Sequence, residues 1–283
     1  MVMQKRKYGK TGAELSVTGF GGMLVMDMPK KDAERLVSFA VDSGVNYFDV
    51  APTYGNAEEI LASALLPYRK KVFLACKSVE RSGAGVRKEL ERSLKRFKSD
   101  RLDLYQLHAV NTEKDVESVL AKNGSLETLI KAKERGLINF IGFSSHNEET
   151  ALALIEKYDF DSLMFPLNIF CWYKVSFGKK IVAAAVKKGM GINALKALCK
   201  SAKTPGADAK WEKCWYLPLD EQEDIDAAVR FTLNLPVTSA LSSSHEELFK
   251  MQLKAAEKPK PLAEKEIRDL LAKYGDTAPL FGG

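Results

Sequence analysis

Four polar residues, Asp49, Tyr54, Lys77 and His108, stand at or just beyond the ends of apolar runs in this 283-residue chain. A carboxylate, a phenol, an amine and an imidazole suit proton transfer through the phenol. A free tyrosine titrates near ~10, too high for an efficient acid–base group at neutral pH. An ammonium such as Lys77 beside Tyr54 would favour the phenolate and lower that value. Asp49 would keep the lysine charged and in place, and His108 could orient a carbonyl oxygen or share the proton. Such a set protonates a carbonyl oxygen while hydride reaches the carbon. No side chain donates hydride, so a nicotinamide cofactor is implied.

Each residue also has a plain structural explanation. Asp49 could cap the next helix, Lys77 could snorkel to solvent, His108 could be a hydrogen-bonded structural imidazole, and Tyr54 a turn aromatic. Together at neighbouring strand ends, an acid, an amine and an imidazole would be costly to desolvate without a purpose.

The elements that must position them alternate along the chain. Strand-like runs fall at 15–21, 46–51, 72–78, 102–108, 140–145, 162–168, 191–198 and 237–241, several of them almost wholly apolar as strands buried on both faces should be. Amphipathic helical patterns lie between them, such as Val86, Leu90, Leu94 and Phe97 at one-turn spacing. "SHNE" (145–148) and "SHEE" (244–247) have the form of capping boxes, while Gly44, Gly136 and Gly189 sit where C-cap glycines belong. Eight strand–helix units predict a (β/α)8 TIM barrel; an open doubly wound sheet is the alternative, but "GFGGM" lacks the GxGxxG spacing. The segment "MQKRKYGKTGAEL" reads as a hairpin closing the barrel floor. In such a barrel the C-terminal strand ends carry the chemistry, and these are where the four residues fall.

Composition agrees with one domain over 1–283: 46% hydrophobic and 28% charged residues, with a mild net charge of +6 spread along the chain. No nucleic-acid surface is inferred, and the basic start leads into no long apolar run, so neither a signal peptide nor a membrane anchor is read. Cys76, Cys171, Cys199 and Cys214 are far apart, and with only three histidines a metal site has little to work with. Reduced thiols in a cytoplasmic protein are the simplest reading.

The motifs resemble those of the aldo-keto reductases. "KRKYGKTGAELSVTGFGGM" is similar to their hairpin and first strand, "FDVAPTYGNAEEILASAL" to the segment carrying their Asp and Tyr, "ACKS" to that of the Lys and "DLYQLHAV" to that of the His. "INFIGFSSHNEE" and "FPLN" extend the likeness, which covers about residues 4–255. It implies reversible NAD(P)H-dependent reduction of an aldehyde or ketone, with Asp49, Tyr54, Lys77 and His108 as the catalytic tetrad. It further implies cofactor contacts from Gly22, Met23 and Asp49, from Ser144, Ser145 and Met164, from Leu195 and Lys196, and from Ser242, Ser243 and Ser244.

Three departures stand out. Ser145 occupies the position of the usual Asn, and Met164 that of the usual Gln, so two amides that hold the nicotinamide carboxamide are missing. The segment "LSSSHEELFKMQL" lacks the family's Glu-Asn adenosine signature, although its serines and helix start can bind phosphate. NADP over NAD is thus an expectation from the family alone, with no metal. The loop 199–220 is expected over the barrel mouth and 256–283 as a C-terminal extension. Met26, Phe170, Trp172, Trp211 and Trp215 are expected to wall a pocket for a small carbonyl substrate; Trp211 and Trp215 could equally pin the loop. A monomer or weak homo-oligomer is expected. The alternative function is a nucleotide-binding regulatory or redox-sensing barrel with little turnover, similar to potassium-channel beta subunits.

Overall fold

Strands without a polar face need cover on both sides, and a closed ring of parallel strands wrapped by helices supplies it. The computed structural model describes residues 3–203, 210–257 and 260–282. The ring consists of β1 (Thr18–Gly21), β2 (Tyr47–Asp49), β3 (Phe73–Ser78), β4 (Leu102–Leu107), β5 (Ile138–Ser144), β6 (Ser162–Pro166), β7 (Gly191–Leu195) and β8 (Ser239–Leu241). Neighbours pair in parallel in chain order, and β8 returns to β1 through Ala240 opposite Thr18. This closure is the TIM barrel and excludes the open sheet.

Several expected boundaries move. The run 15–21 is two strands: Glu14–Ser16 belongs to the hairpin and pairs antiparallel with Lys5–Lys7. The break falls at Val17, whose N–H donates to the Gln4 carbonyl instead of to the barrel. Neither capping box forms. The helix Glu148–Lys157 is capped by Asn147, whose side chain accepts from Thr150 N, while Ser145 Oγ accepts from Asn147 N. Before the helix Glu246–Ala256 the cap position is His245, with no side-chain cap bond. Gly44, Gly136 and Gly189 do follow helices at positive φ.

The hairpin seals the N-terminal end of the ring. Its Tyr8 is wholly buried, and a Cβ at Gly191, the first residue of β7, would lie 2.2 Å from the Tyr8 ring. Only glycine leaves that room. Lys10 N donates to Gly189 O, and Arg6 reaches Val237 O at the foot of β8. Tyr8 and Leu15 of the hairpin join one apolar cluster with Tyr47, Ala75, Leu104, Met164 and Leu241 of the ring. The barrel is therefore a packed core with its opening at the other end.

Candidate active site

Side chains two apart on a strand share a face. Tyr47 and Asp49 on β2, Ala75 and Lys77 on β3, and Leu104 and Gln106 on β4 thus point inward together, apolar or aromatic below and polar above. Asp49 and Lys77 are 3% and 0% exposed and form an ion pair, with Lys77 Nζ also 3.4 Å from Val50 O. The other carboxylate oxygen of Asp49 accepts from Gln106 Nε2 at 2.8 Å and from Tyr47 OH at 3.2 Å. Asn193 Nδ2 on β7 donates to Tyr47 OH at 3.0 Å and to Tyr8 OH at 2.7 Å. One hydrogen-bonded chain therefore runs from the floor to the lysine.

The loop after β2 returns Tyr54 over this pair, with its ring centroid 5.4 Å from Lys77 Nζ and 5.7 Å, edge to face, from the ring of His108. His108 follows β4, its N–H bonded to Ser78 O at 2.8 Å and its Nδ1 buried without a partner. Ala109 takes a φ of 52°, and Arg81 braces the turn by donating to the His108 and Ala109 carbonyls.

The charges follow from this packing. Burial works against the Lys77 ammonium, but Asp49 and Tyr54 outweigh it and hold its pKa above the ordinary value. Burial raises the Tyr54 pKa, and Lys77 offsets this only in part. The expected lowered phenol is thus not found: desolvation exceeds the ammonium's attraction. Tyr54 is protonated at neutral pH. Burial, then Lys77, pushes His108 down to about 3, so its imidazole is neutral.

These four residues meet at a cavity of ≈ 180 Å³ in the barrel mouth. Gly22, Met23, Ser144, Met164, Leu195, Lys196, Ser242, Ser243, Ser244 and Trp215 line it as well, together with Gly21, His146, Tyr216 and Leu241. Other expected residues are not brought to it. Ser145, next to inward-facing Ser144, turns to Thr150 and Asn147. Met26 lies against Gly55 and accepts at its carbonyl from Lys213. Phe170 is fully buried edge-on to Tyr274, Trp172 packs on Phe231, and Trp211 is buried against His245 with Nε1 donating to Asp220. These aromatics pin loops and helices.

The loop after β7 begins as a ribbon, Cys199–Ala202 paired with Tyr216–Pro218; positions 204–209 lie outside the described residues. Its Lys213 N–H donates to His245, so the segment crosses towards β8. His146 was not expected in the cavity. A signal existed: all three histidines of the chain, His108, His146 and His245, come just after strand ends at the mouth. His146 accepts from or donates to Lys196 Nζ at 2.9 Å, stacks on Phe281 at 5.5 Å and meets Trp215 edge-on.

A nicotinamide dinucleotide fits part of this surface. Ser243 Oγ is buried just after β8 without a partner among the described residues, ready for a phosphate or hydroxyl. Gly22 has no room for a Cβ, which would lie 2.5 Å from Val50, and its backbone forms cavity wall. Ser144 Oγ accepts from Ala109 N at 2.9 Å and retains its own proton to donate. Met164 offers no amide. Among the described residues no group of three or more His, Cys, Asp or Glu could hold a metal, and no helix is long and apolar enough to cross a membrane.

A family model described as "Aldo/keto reductase family" matches residues 18–269. The chain belongs to the aldo/keto reductase family. It is 29% identical over 182 residues to an uncharacterized oxidoreductase, YqkF, of Bacillus subtilis (strain 168), covering 59% of this chain and 57% of that one. It is 30% identical over 168 residues to aldo-keto reductase family 1 member C2 of Homo sapiens, 52% of each chain. The matches thus span little more than half the length of these curated relatives. The fold is similar to that of the aldo-keto reductase AKR11C1 from Bacillus halodurans in its holo form. That likeness has a TM-score of 0.75 at 22% identity and covers 99% of this chain and 97% of the other. Aldo-keto reductases as a family use nicotinamide cofactors and reduce carbonyl compounds.

Proposed function

We propose that this aldo-keto reductase reduces an aldehyde or ketone to an alcohol, reversibly, with NADPH rather than NADH and with Tyr54 as the general acid. The observation that carries the reading is the convergence of Tyr54, Lys77 and His108 on one cavity, with Asp49 bound to Lys77. A nicotinamide dinucleotide held at this site would supply the hydride. Tyr54, kept protonated by burial, gives its proton to the carbonyl oxygen. Lys77 then stabilises the phenolate left behind, and Asp49 keeps the ammonium aimed. Neutral His108 orients the carbonyl through a hydrogen bond and does not carry the proton as a cation. Gly22, Met23, Ser144 and the serines after β8 would hold the dinucleotide, and Trp215 would face the substrate. Four free, buried cysteines support a reducing compartment, the cytoplasm.

Titration with NADPH and NADH by fluorescence, followed by NADPH oxidation over a panel of aldehydes and quinones, tests this. Tyr54→Phe is expected to cut reduction by about 10²-fold or more while retaining nucleotide binding. Full activity in that variant refutes Tyr54 as the acid. A second reading, a nucleotide-sensing barrel with little turnover, is favoured by Met164 at the carboxamide position. Tight nucleotide binding with no turnover on any substrate would select it.

A further inference from the structure

Lys196 is the one lysine besides Lys77 in the wall of the cavity, and no ion pair is formed by it among the described residues. It is 9% exposed, and its backbone takes a φ of 60°, a left-handed conformation uncommon for a residue with a side chain. Such a conformation is kept only where the surroundings impose it. From the end of β7 the side chain crosses the end of β6 to reach His146 beyond β5. Its Nζ lies 4.6 Å from the ring centroid of Trp215 and 5.4 Å from that of Phe281.

This is an amine walled by aromatics and an imidazole, with no carboxylate paired to it among the described residues. Burial alone pulls the Lys196 pKa down to about 7, and His146 is pushed down to about 3 by burial and by Lys196. The amine is therefore short of a counter-ion. Lys196 and His146 both also lower His108, so they share its surroundings. An anion beside Lys196 would stand close to the carbonyl held at Tyr54 and His108.

We infer that Lys196, with His146, forms an anion subsite for the substrate, so that the preferred substrate is a carbonyl compound bearing a carboxylate or phosphate. This rests on the reading of the cavity as a carbonyl-reduction site. The same chemistry could serve a phosphate of the dinucleotide. The geometry favours the substrate, because Lys196 leans away from β8, where Ser243 and the helix Glu246–Ala256 provide phosphate chemistry of their own.

Benzoate and benzamide, of equal shape and different charge, probe the subsite without turnover. Calorimetric binding of each is measured on wild type, Lys196→Met and Lys196→Arg, with NADPH affinity measured in parallel. Benzoate should bind at least tenfold tighter than benzamide, Lys196→Met should erase that ratio, and Lys196→Arg should restore most of it. Equal binding of the two probes to wild type, or an unchanged ratio in Lys196→Met, overturns the proposal. So does a tenfold loss of NADPH affinity in Lys196→Met with the ratio intact, which would give the subsite to the dinucleotide. Benzoate selectivity in a protein that reduces no carbonyl would sink the reductase reading and leave the anion subsite standing.

Discussion

Lys77 and Gln106 sit opposite one another in the pairing of β3 with β4, and both donate to the carboxylate of Asp49. The lysine takes one oxygen and the amide, with Tyr47, the other. A carboxylate held at both oxygens cannot rotate away from the ammonium it anchors. Gln106 is thus a positioning residue for Lys77, and through it for Tyr54.

Gln106→Leu removes one charge-assisted hydrogen bond, commonly worth about 1.5–3 kcal/mol. Only part of that reaches the reaction, since Tyr47 still holds the same oxygen. Steady-state kinetics should show kcat down by about tenfold, with KM and nucleotide affinity little moved. A fall in KM affinity with kcat intact would show that Gln106 acts elsewhere.

The raised Tyr54 pKa sets a pH dependence. In the proposed mechanism reduction needs the phenol protonated, so its rate should stay flat from neutral pH into the alkaline range and decline only above the ordinary tyrosine value of ~10. Alcohol oxidation needs the phenolate and should climb over the same alkaline range. Lys77→Met removes the cation that lowers Tyr54, so its residual activity should show the alkaline limb displaced to higher pH. An unmoved limb in the pH–rate profile would contradict an electrostatic role for Lys77.

His108 and His146 are both depressed to about 3 in the folded protein, against an ordinary value near 6.5. The unfolded chain therefore binds more protons between those limits, and stability rises with pH across the window and is lost on acidification. Each imidazole removes at most about 2 kcal/mol between pH 6.5 and 5. His146→Phe, which keeps a ring against Phe281, should flatten the slope relative to wild type in denaturant melts at the two pH values.

At the floor, Gly191→Ala places a methyl into the ring of Tyr8. Overpacking of a filled core costs about 1–3 kcal/mol, occasionally more. Urea denaturation should report that loss, and Tyr8→Leu should recover part of it in the double variant. Additive losses would mean that the two residues do not compete for the space.

Met164→Gln restores an amide on β6 opposite Ser144 of β5. One added neutral hydrogen bond, about 0.5–1.5 kcal/mol, should tighten NADPH by about two- to tenfold in fluorescence titration. An unchanged affinity would indicate that the carboxamide does not approach this wall.

The barrel and the polar strand ends were legible because each depends on local pattern: an apolar run closed by a charged residue marks a mouth position without knowledge of its neighbours. The same rule reached Lys196 but passed over His146, which was absorbed into a capping motif that Asn147 fulfils. Period two would have separated Ser144 from Ser145, since adjacent residues at a strand end face opposite ways. It would also have placed Gln106 inside with Leu104. In sequence Phe170, Trp172 and Trp211 could wall a pocket or pin a loop, because aromatics near a mouth look alike; tertiary packing shows that they pin other elements. Phe281 had no local signal at all. Lys174 clamps the carbonyls of Tyr274, Gly275 and Thr277, and the segment that follows brings Phe281 onto His146 from over a hundred positions away.

The chain from Tyr8 through Asn193 and Tyr47 to Asp49 gives that carboxylate a solvation shell made of protein. In water, the dipoles around an anion reorient whenever a neighbouring charge moves, and that reorganisation adds to a reaction barrier. Here the dipoles are fixed by the packed elements that carry them: Tyr47 and Gln106 donate to Asp49, and Asn193 holds Tyr47 from one side and Tyr8 from the other. For the proton transfer proposed at Tyr54, the dipoles beneath Lys77 are already held in place.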